Sequence, residues 1–294
     1  MAFHATLSLV QVYLNGKIVP AAQAQISVFD RGFLFGDGLY EGLRAFDGRV
    51  VALDRHVKRM SDGLREIALA FDPASLVRPT QDLLRANNLK DAFIYWQVTR
   101  GTPGAGRPVR ARIPPPDITP TVMMYCVPTP GLGSYPPVPT KIACVIPDLR
   151  WHRGHVKSIS LLGNVLAALD AEQAGCDDAI LARGDLAGEG TSANLIAVVP
   201  RAGGGDEVVT PSMSSVSILG GVTRDLLLES DASILERPLH VEELRNAREI
   251  MLCGTLTMIT SITRLDGVPV GDGVPGPHAL RLLNLLLSSI RAGH

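Results

Sequence analysis

The sequence predicts a mixed α/β (α+β) protein with a small N-terminal sheet-plus-helix domain and a larger C-terminal mixed domain. Strand-like segments with alternating apolar residues are interleaved along the chain with helix-like apolar periodicity. The 294 residues are enough for two domains, each with its own core. A stretch rich in proline and glycine suits a linker. We therefore predict domains at residues 1–126 and 140–294, joined by a linker at 127–139.

The bulk composition excludes several classes of function. Hydrophobic residues make up 46% and charged residues 19%, which is typical of a globular enzyme rather than a disordered chain. The formal net charge of −1 and the lack of a long basic run argue against nucleic-acid and membrane partners. No segment has membrane-spanning length, and we expect a cytoplasmic protein. The spacing of the four cysteines fits neither a metal site nor a disulfide framework.

The N-terminal elements follow from turn and cap residues. An alternating strand at 10–14 runs into the hairpin turn Asn15-Gly16, and two further strands are expected around Asp47-Gly48. Asp54 is expected to cap a helix that continues to about residue 70. Another helix is expected to end near Asn87-Asn88, before a strand at 92–99.

Strands and helices also alternate in the C-terminal part of the chain. The pattern predicts an amphipathic helix over 277–292 at the C-terminus. The other predicted elements are a strand at 141–146, a helix at about 160–174, strands at 178–182 and 194–199, and a helix from about 221.

Lys157 stands out among the five lysines as a possible covalent nucleophile. Lys17, Lys58, Lys90 and Lys141 occupy a turn, a charged helix, a loop and the start of a strand, where a solvated charge explains them. Lys157 lies between a predicted strand and an apolar helix, where a partly dry pocket would favour the neutral, nucleophilic amine. Taken alone, a lysine at an element boundary is more often a solvated charge.

Two other segments have residues suited to a flat, phosphorylated ligand. Glu189 lies in Ala187–Leu195, which is expected to form a turn of small residues before a strand, and could bond a pyridinium nitrogen. Gly220-Gly221 precedes Thr223 at a predicted helix start, where exposed amides and the helix dipole favour a phosphate. A plain turn carboxylate and a plain glycine turn are the simpler interpretations of these two segments.

The segment Asp30–Phe46 has glycines interspersed with aromatic residues ahead of a strand, which predicts a loop around a pocket. Its Gly-x-Gly element lacks the preceding strand and following helix of a dinucleotide site. The chain also lacks the lysine-ending phosphate loop of nucleotide triphosphatases.

These segments together resemble the class IV (fold type IV) aminotransferases, from about Tyr13 to Asp266. The family includes D-amino-acid and branched-chain aminotransferases and aminodeoxychorismate lyase. The D-amino-acid subgroup is most similar, through the motifs in Asp30–Glu41, Gln97–Thr102, Lys157–Gly163 and Gly175–Leu181. The resemblance implies the two-domain fold of type IV pyridoxal-phosphate enzymes, a homodimer and pyridoxal 5'-phosphate as cofactor.

The resemblance also implies roles for individual residues. Lys157 would hold the cofactor as a Schiff base and move the proton between Cα and the cofactor in a ping-pong transamination, and Glu189 would pair with the pyridine nitrogen. The phosphate would be bound by Arg59, whose planar fork suits phosphate oxygens. The remaining cofactor contacts would come from Leu219, Val222, Thr223 and Thr255.

The substrate prediction combines features of two subgroups. The chain lacks the Arg-x-His carboxylate trap of similar D-amino-acid enzymes, and Arg107 is the candidate substitute, although a solvated loop arginine is the simpler interpretation. Tyr40–Arg44 looks like the branched-chain subgroup, yet Leu161-Leu162 stands where that subgroup has a tyrosine. We predict a D-amino acid and a 2-oxo acid as substrates, with Tyr40, Arg44, Arg100 and Arg107 in contact with them.

Three other reactions stay open from the sequence. The first two are transamination of branched-chain L-amino acids and of chiral (R)-amines. The third is the carbon–carbon lyase reaction on aminodeoxychorismate, which uses the same lysine and cofactor but releases pyruvate.

Overall fold

The computed structural model describes residues 10–201 and 203–293 and divides the chain into two compact units. The first unit extends to Tyr135 and also includes Val156–Ser160. The second comprises Pro136–His155 and the chain from Leu161 onwards. The first break therefore lies inside the stretch 127–139. The return of five residues to the first unit is a feature that the sequence does not reveal.

The first unit contains an antiparallel sheet of six strands within the described residues, in the order β2-β1-β6-β5-β3-β4. Its strands are β1 (Gln11–Leu14), β2 (Lys17–Pro20), β3 (Gly38–Phe46), β4 (Arg49–Val50), β5 (Ala92–Thr102) and β6 (Thr119–Pro128). Its helices are α1 (Arg31–Phe35), α2 (Leu53–Glu66) and α3 (Val77–Ala86).

The hairpin and core of this unit follow the sequence pattern closely. Asn15 and Gly16 have φ of 48° and 91°, as a tight turn between β1 and β2 requires. Alternate residues of β3 and β5 point into a core shared with α2 and α3, in which Leu43 and Trp96 have no exposed surface.

Two local predictions for this unit are wrong. The helix α2 begins at Leu53 after Ala52, which has left-handed φ and ψ, so Asp54 lies in the first turn instead of capping the helix. The segment predicted as a loop from Asp30 forms the short helix α1, because the Asp30 carboxylate accepts a hydrogen bond from the amide of Gly32 at 2.8 Å.

The second unit is built on a larger mixed sheet. Its strands are β7 (Thr140–Pro147), β8 (Asp178–Arg183), β9 (Leu186–Gly190), β10 (Asn194–Pro200), β11 (Asp206–Pro211), β12 (Ile234–Arg237), β13 (Glu249–Gly254), β14 (Met258–Leu265) and β15 (Val268–Pro269). Its helices are α4 (Leu162–Gln173), α5 (Val222–Ser230), α6 (Val241–Arg245) and α7 (Pro277–Arg291). The strands and helices predicted for this part of the chain are confirmed, whereas β9 and the strands from β11 to β15 are absent from the prediction.

Six strands of this sheet close into a ring. Pairing runs β10-β13-β14-β7-β8-β9, and β9 then pairs with β10 through Glu189 and Asn194. The strands enclose an apolar core that includes Ile180, Leu195 and Ile250. Glu189 and Asn194 therefore face each other where the ring closes.

The described residues form no helix that combines the length and the apolar character of a membrane-crossing segment.

Candidate active site

The backbone around Lys157 is fixed to strand β3. The amide of Tyr40 donates to the carbonyl of Lys157 at 3.1 Å, and the amide of Ile159 donates to the carbonyl of Gly38 at 3.1 Å. The Lys157 ammonium nitrogen lies 4.1 Å from the centre of the Tyr40 ring. Contact with the face of an aromatic ring stabilises a cation and holds this flexible side chain in place. Lys157 and Tyr40 are therefore brought together, as predicted.

Tyr40 is the first ring of a stack of three tyrosines. The centre of its ring is 5.5 Å from that of Tyr95, which is 5.0 Å from that of Tyr125. The Tyr95 hydroxyl donates to the side-chain oxygen of Gln97 at 2.9 Å. Burial raises the pKa of the Tyr95 and Tyr125 hydroxyls, so both stay protonated at neutral pH. These rings form a rigid aromatic wall next to the lysine.

Arg59 is held by a buried carboxylate. Its Nε and Nη2 atoms donate to the two oxygens of Glu41 at 2.8 and 2.6 Å, and His56 Nδ1 lies 2.7 Å from Glu41 Oε2. Arg59 and His56 are three residues apart on α2 and share one helix face. Burial opposes the charge on Glu41, but the charges and hydrogen bonds of Arg59 and His56 outweigh it and hold the Glu41 pKa at about 2. Glu41 therefore orients the Arg59 guanidinium.

Arg100 has a structural position that its prediction as a substrate ligand did not anticipate. Its Nε donates to Asp37, and Nη1 and Nη2 donate to the carbonyls of Ala68 and Ile67 at 2.9 and 2.6 Å. Every nitrogen of the guanidinium thus binds an oxygen of the protein. These bonds connect β5 to the end of α2, and the role of Arg100 in substrate binding stays a prediction.

Arg44 is likewise committed to the protein itself. Only 2% of its surface is exposed. Its guanidinium carbon lies 4.7 and 5.5 Å from the ring centres of Phe46 and Tyr135, and Nη2 donates to the carbonyl of Pro130 at 2.9 Å. These contacts hold Arg44 within the first unit, and its substrate role stays a prediction. Arg107 lies in an exposed loop 3.5 Å from Asp117, and its role stays a prediction.

Glu189 lies in strand β9, not in the predicted turn, and both of its oxygens are engaged. Its Oε2 accepts hydrogen bonds from the Leu219 amide at 3.1 Å and from Asn194 Nδ2 at 3.2 Å. Its Oε1 lies 3.0 Å from Arg150 Nη1. The residue is 5% exposed, and a carboxylate bound on both oxygens has one orientation.

The predicted phosphate residues include the first turn of α5. The helix starts at Val222 and Thr223, both buried, and no side chain caps its N-terminus. A Cβ on Gly221 would stand 1.9 Å from the side-chain oxygen of Asn194, so only glycine fits there. Thr255 directly follows β13. The α5 start leaves backbone donors and the positive end of the helix dipole for an anion.

The sequence did not identify Arg150, Asp148, Asn194 or His56. Arg150 donates three hydrogen bonds to Asp148, at 2.9 to 3.0 Å, before reaching Glu189. A carboxylate two residues before an arginine is too common a pattern to indicate a site. The sequence shows that His56 and Arg59 share one helix face, but it does not show that both bind the buried carboxylate of Glu41.

Comparison with known proteins decides the family. The model of the amino-transferase class IV family matches residues 38–265. The chain belongs to the class IV aminotransferases. The match includes Tyr40, Arg59, Lys157, Glu189 and the start of α5. This aminotransferase is therefore a pyridoxal-phosphate-dependent enzyme with a fold of type IV.

The curated relatives of this aminotransferase include D-alanine aminotransferases. The protein of Staphylococcus haemolyticus is 33% identical over 276 residues, which cover 92% of this chain and 94% of that protein. That of Bacillus licheniformis is 31% identical over 294 residues, covering 95% and 97%. Among solved structures, the branched-chain aminotransferase of Escherichia coli aligns with a TM-score of 0.82 at 24% identity, over 95% of this chain and 94% of that chain. The structural likeness supports the fold.

The residues of this aminotransferase fit its cofactor. Another branched-chain aminotransferase, 23% identical with a TM-score of 0.83 over 98% of this chain and 96% of that one, was solved with pyridoxamine 5'-phosphate. In this chain the uncapped start of α5 offers donors to a phosphate, and the glycine before it leaves no room for a side chain. A buried carboxylate, Glu189, and a lysine beside an aromatic ring, Lys157, suit a pyridinium nitrogen and an aldehyde.

Proposed function

We propose that this aminotransferase exchanges an amino group between a D-amino acid, such as D-alanine or D-glutamate, and a 2-oxo acid. The observation that carries the proposal is the similarity to D-alanine aminotransferases, 31 to 34% identical over at least 91% of this chain. The substrates are small molecules, and the kinetics are of the ping-pong type.

Lys157 is the residue that holds the cofactor and moves the proton. Pyridoxal phosphate, when bound, supplies an aldehyde that captures amines and a ring that accepts the electrons released at Cα. The free amine of Lys157 would take the proton from Cα of the amino donor and would return it on the cofactor side. The Tyr40 ring holds the side-chain nitrogen of Lys157 in place, 4.1 Å from the ring centre.

Glu189 and the phosphate-binding residues orient the cofactor. Glu189 would bond the ring nitrogen through a carboxylate fixed by Leu219, Asn194 and Arg150. Leu219 would also contact the ring. Val222, Thr223 and Thr255 would bind the phosphate, and so would Arg59, which Glu41 orients.

Arg107 is the remaining arginine of the predicted set that we assign to the substrate carboxylate. Arg44 and Arg100 bind protein oxygens, whereas Arg107 is exposed and has one distant carboxylate partner, Asp117, at 3.5 Å. An exposed pair at this distance contributes little and is easily exchanged for a substrate anion. Tyr40 provides the aromatic surface beside the reacting carbon.

A homodimer in the cytoplasm is the state in which we expect the enzyme to work. Helix α4 exposes an apolar stripe formed by Leu162, Val165, Leu166 and Leu169, each at least 44% exposed. Contiguous apolar surface of this kind is typical of a protein interface. The four cysteines are free, as suits a reducing compartment.

A panel of amino donors tests the substrate assignment. Purified holoenzyme is given D-alanine, D-glutamate, L-leucine or (R)-1-phenylethylamine with pyruvate or 2-oxoglutarate, and amino-group transfer is measured by chromatography. We expect the D-amino acids to react at least about tenfold faster, as kcat/KM, than L-leucine or the amine. Faster reaction of L-leucine or the amine contradicts the proposal. Release of pyruvate from aminodeoxychorismate, without transfer, identifies the lyase instead.

A further inference from the structure

Glu189 is the end of a chain of buried charges in the second unit. One of its oxygens faces the Nη1 atom of Arg150 at 3.0 Å. The other accepts from the Leu219 amide and from Asn194. The side chains of Arg150 and Glu189 are 11% and 7% exposed, so water screens this pair weakly.

Arg150 is held rigidly by Asp148, just after strand β7. The Asp148 carboxylate accepts from the amide, the Nε and the Nη2 of Arg150 at 3.0, 2.9 and 3.0 Å. It also accepts from Nε of Arg183 at 3.0 Å, on strand β8. Contacts from the end of β7 and from β8 thus hold the Asp148 carboxylate, which in turn holds Arg150. The side chain of Asp148 is 2% exposed.

The charges in this chain reinforce each other. Burial opposes the charge on Arg150, but its hydrogen bonds to Asp148 and the negative charge of Glu189 outweigh this effect and raise the Arg150 pKa. Burial also opposes the charge on Asp148, and Arg150 and Arg183 outweigh it and lower the Asp148 pKa. Arg150 is therefore a cation beside Glu189 at neutral pH.

A fixed cation lowers the affinity of the neighbouring carboxylate for a proton. A ring nitrogen and a carboxylate that share one proton compete for it, and the weaker base loses. With Arg150 in contact with Glu189, the proton would stay on the ring nitrogen. Without Arg150, Glu189 would be a buried carboxylate with one fewer positive neighbour, and its oxygen would compete better for the proton.

On this basis we infer that Arg150 is a positioning residue which acts through Glu189 to keep the ring nitrogen of the cofactor protonated. The inference rests on the proposed role of Glu189. A protonated ring accepts electrons from Cα far better than a neutral one, so Arg150 sets the strength of the electron acceptor without touching it. Asp148 and Arg183 keep Arg150 in place.

The test is the nitrogen-15 resonance of the cofactor ring. Holoenzyme is reconstituted with pyridoxal phosphate enriched in nitrogen-15, whose chemical shift separates a protonated from a neutral ring. We expect the protonated position in the wild type and a shift towards the neutral position in Arg150→Gln. Arg150→Lys, which keeps the positive charge, should restore most of the protonated signal. Arg201→Gln is the control, because Arg201 pairs with Glu207 in an exposed position.

Two further measurements separate this role from a structural one. The melting temperature of the apoprotein reports folding, and Arg150→Met replaces Arg150→Gln if the latter does not fold. A role through Glu189 also predicts that kcat falls about tenfold or more while the KM of the donor changes little, since partners that orient a contacting group commonly have effects of this size.

The outcomes are distinct. A protonated ring in Arg150→Gln and Arg150→Met, equal to that of the wild type, overturns the inference. A neutral ring in the wild type overturns the proposed role of Glu189 itself. Failure of the wild-type apoprotein to take up pyridoxal phosphate contradicts the cofactor assignment, and is seen before any variant is compared.

Discussion

Individual residues combine two tasks in this aminotransferase, reaction and orientation. Lys157 is proposed to react, and β3 and the Tyr40 ring orient it. Glu189 is proposed to bond the ring nitrogen, and three neighbouring groups orient its carboxylate. Sequence reasoning selects both residues as candidates, because lysines are few and the resemblance names them. It could not identify Arg150 or Glu41, because their roles depend on partners that are distant in sequence.

Replacement of Lys157 by alanine should abolish transamination and leave phosphate binding largely intact. We expect kcat to fall at least about a thousandfold, because both the covalent attachment and the proton transfer are lost. Pyridoxamine phosphate, which needs no lysine, should still bind, as measured by fluorescence titration. Lys90→Ala, in an exposed loop, is the matched control and should retain full activity. Full activity of Lys157→Ala would contradict the proposed role of Lys157.

Replacement of Glu189 by glutamine should slow proton transfer far more than it weakens cofactor binding. The amide cannot stabilise a positive ring nitrogen, and we expect kcat to fall about a hundredfold. Stopped-flow absorbance measures the half-reaction with D-alanine, and fluorescence titration measures cofactor affinity. Equal losses in the rate of the half-reaction and in cofactor affinity would show that Glu189 only holds the cofactor in place.

Elements are predicted from the sequence where local chemistry decides them. The turn at Asn15-Gly16, the strands β5, β7, β8 and β10 and the helix α7 are confirmed, since turn residues and periodicity fix them. The predicted Asp54 cap at the start of α2 is wrong, because Ala52 adopts the left-handed conformation there. The predicted turn at Glu189 is also wrong. The small residues around Glu189 are typical of a turn, but here they form a strand that pairs with β8 and β10.

At the start of α5, the addition of a single methyl group would cause a steric clash. In Gly221→Ala the new Cβ would stand 1.9 Å from Asn194 Oδ1, so the helix start or Asn194 must move. We expect the affinity for pyridoxal phosphate to fall about tenfold or more, as measured by titration of the apoprotein. In Gly220→Ala the nearest atom would be Met213 Sδ at 3.4 Å, an ordinary contact, so affinity should hold. Equal affinities for the two variants would argue against a phosphate at α5.

The buried cluster of Glu41, His56 and Arg59 connects β3 to α2 and makes stability depend on pH. The Glu41 pKa is lowered from 4.5 to about 2 in the folded protein. A lowered folded-state pKa means that its stabilisation is complete above the unfolded pKa, and is lost as the pH falls from about 5 towards 2. Glu41→Gln should lower the free energy of unfolding at pH 7 by about 3 kcal/mol, because Arg59 loses its buried partner.

Urea denaturation at a series of pH values measures this effect. The acid limb of the stability curve should be flatter in Glu41→Gln than in the wild type. Asp62→Asn is the control, because Asp62 pairs with Lys58 and Arg65 on the surface and should change stability by less than about 0.5 kcal/mol. Parallel acid limbs in Glu41→Gln and the wild type would refute the assigned titration.

At the scale of the whole molecule, the apolar stripe of α4 supports self-association. Leu166 is 52% exposed on this stripe, and Leu280 is 49% exposed on α7 outside it. If the proposed homodimer forms through this stripe, Leu166→Lys should give a monomer, because a buried unpaired charge is costly at an apolar interface. Multi-angle light scattering after gel filtration gives the mass, and Leu280→Lys should remain dimeric. A monomeric wild type would remove the basis for this expectation.

Lys157 is proposed as the residue to which the cofactor is attached, and chemical trapping of this linkage shows which lysine is used. Holoenzyme is treated with sodium borohydride, which converts a lysine–cofactor linkage into a stable secondary amine, and is then digested and sequenced by mass spectrometry. We expect a pyridoxyl group on Lys157 in the wild type and none in Lys157→Ala. A pyridoxyl group on Lys17, Lys58, Lys90 or Lys141 in the wild type, with Lys157 unmodified, would contradict it.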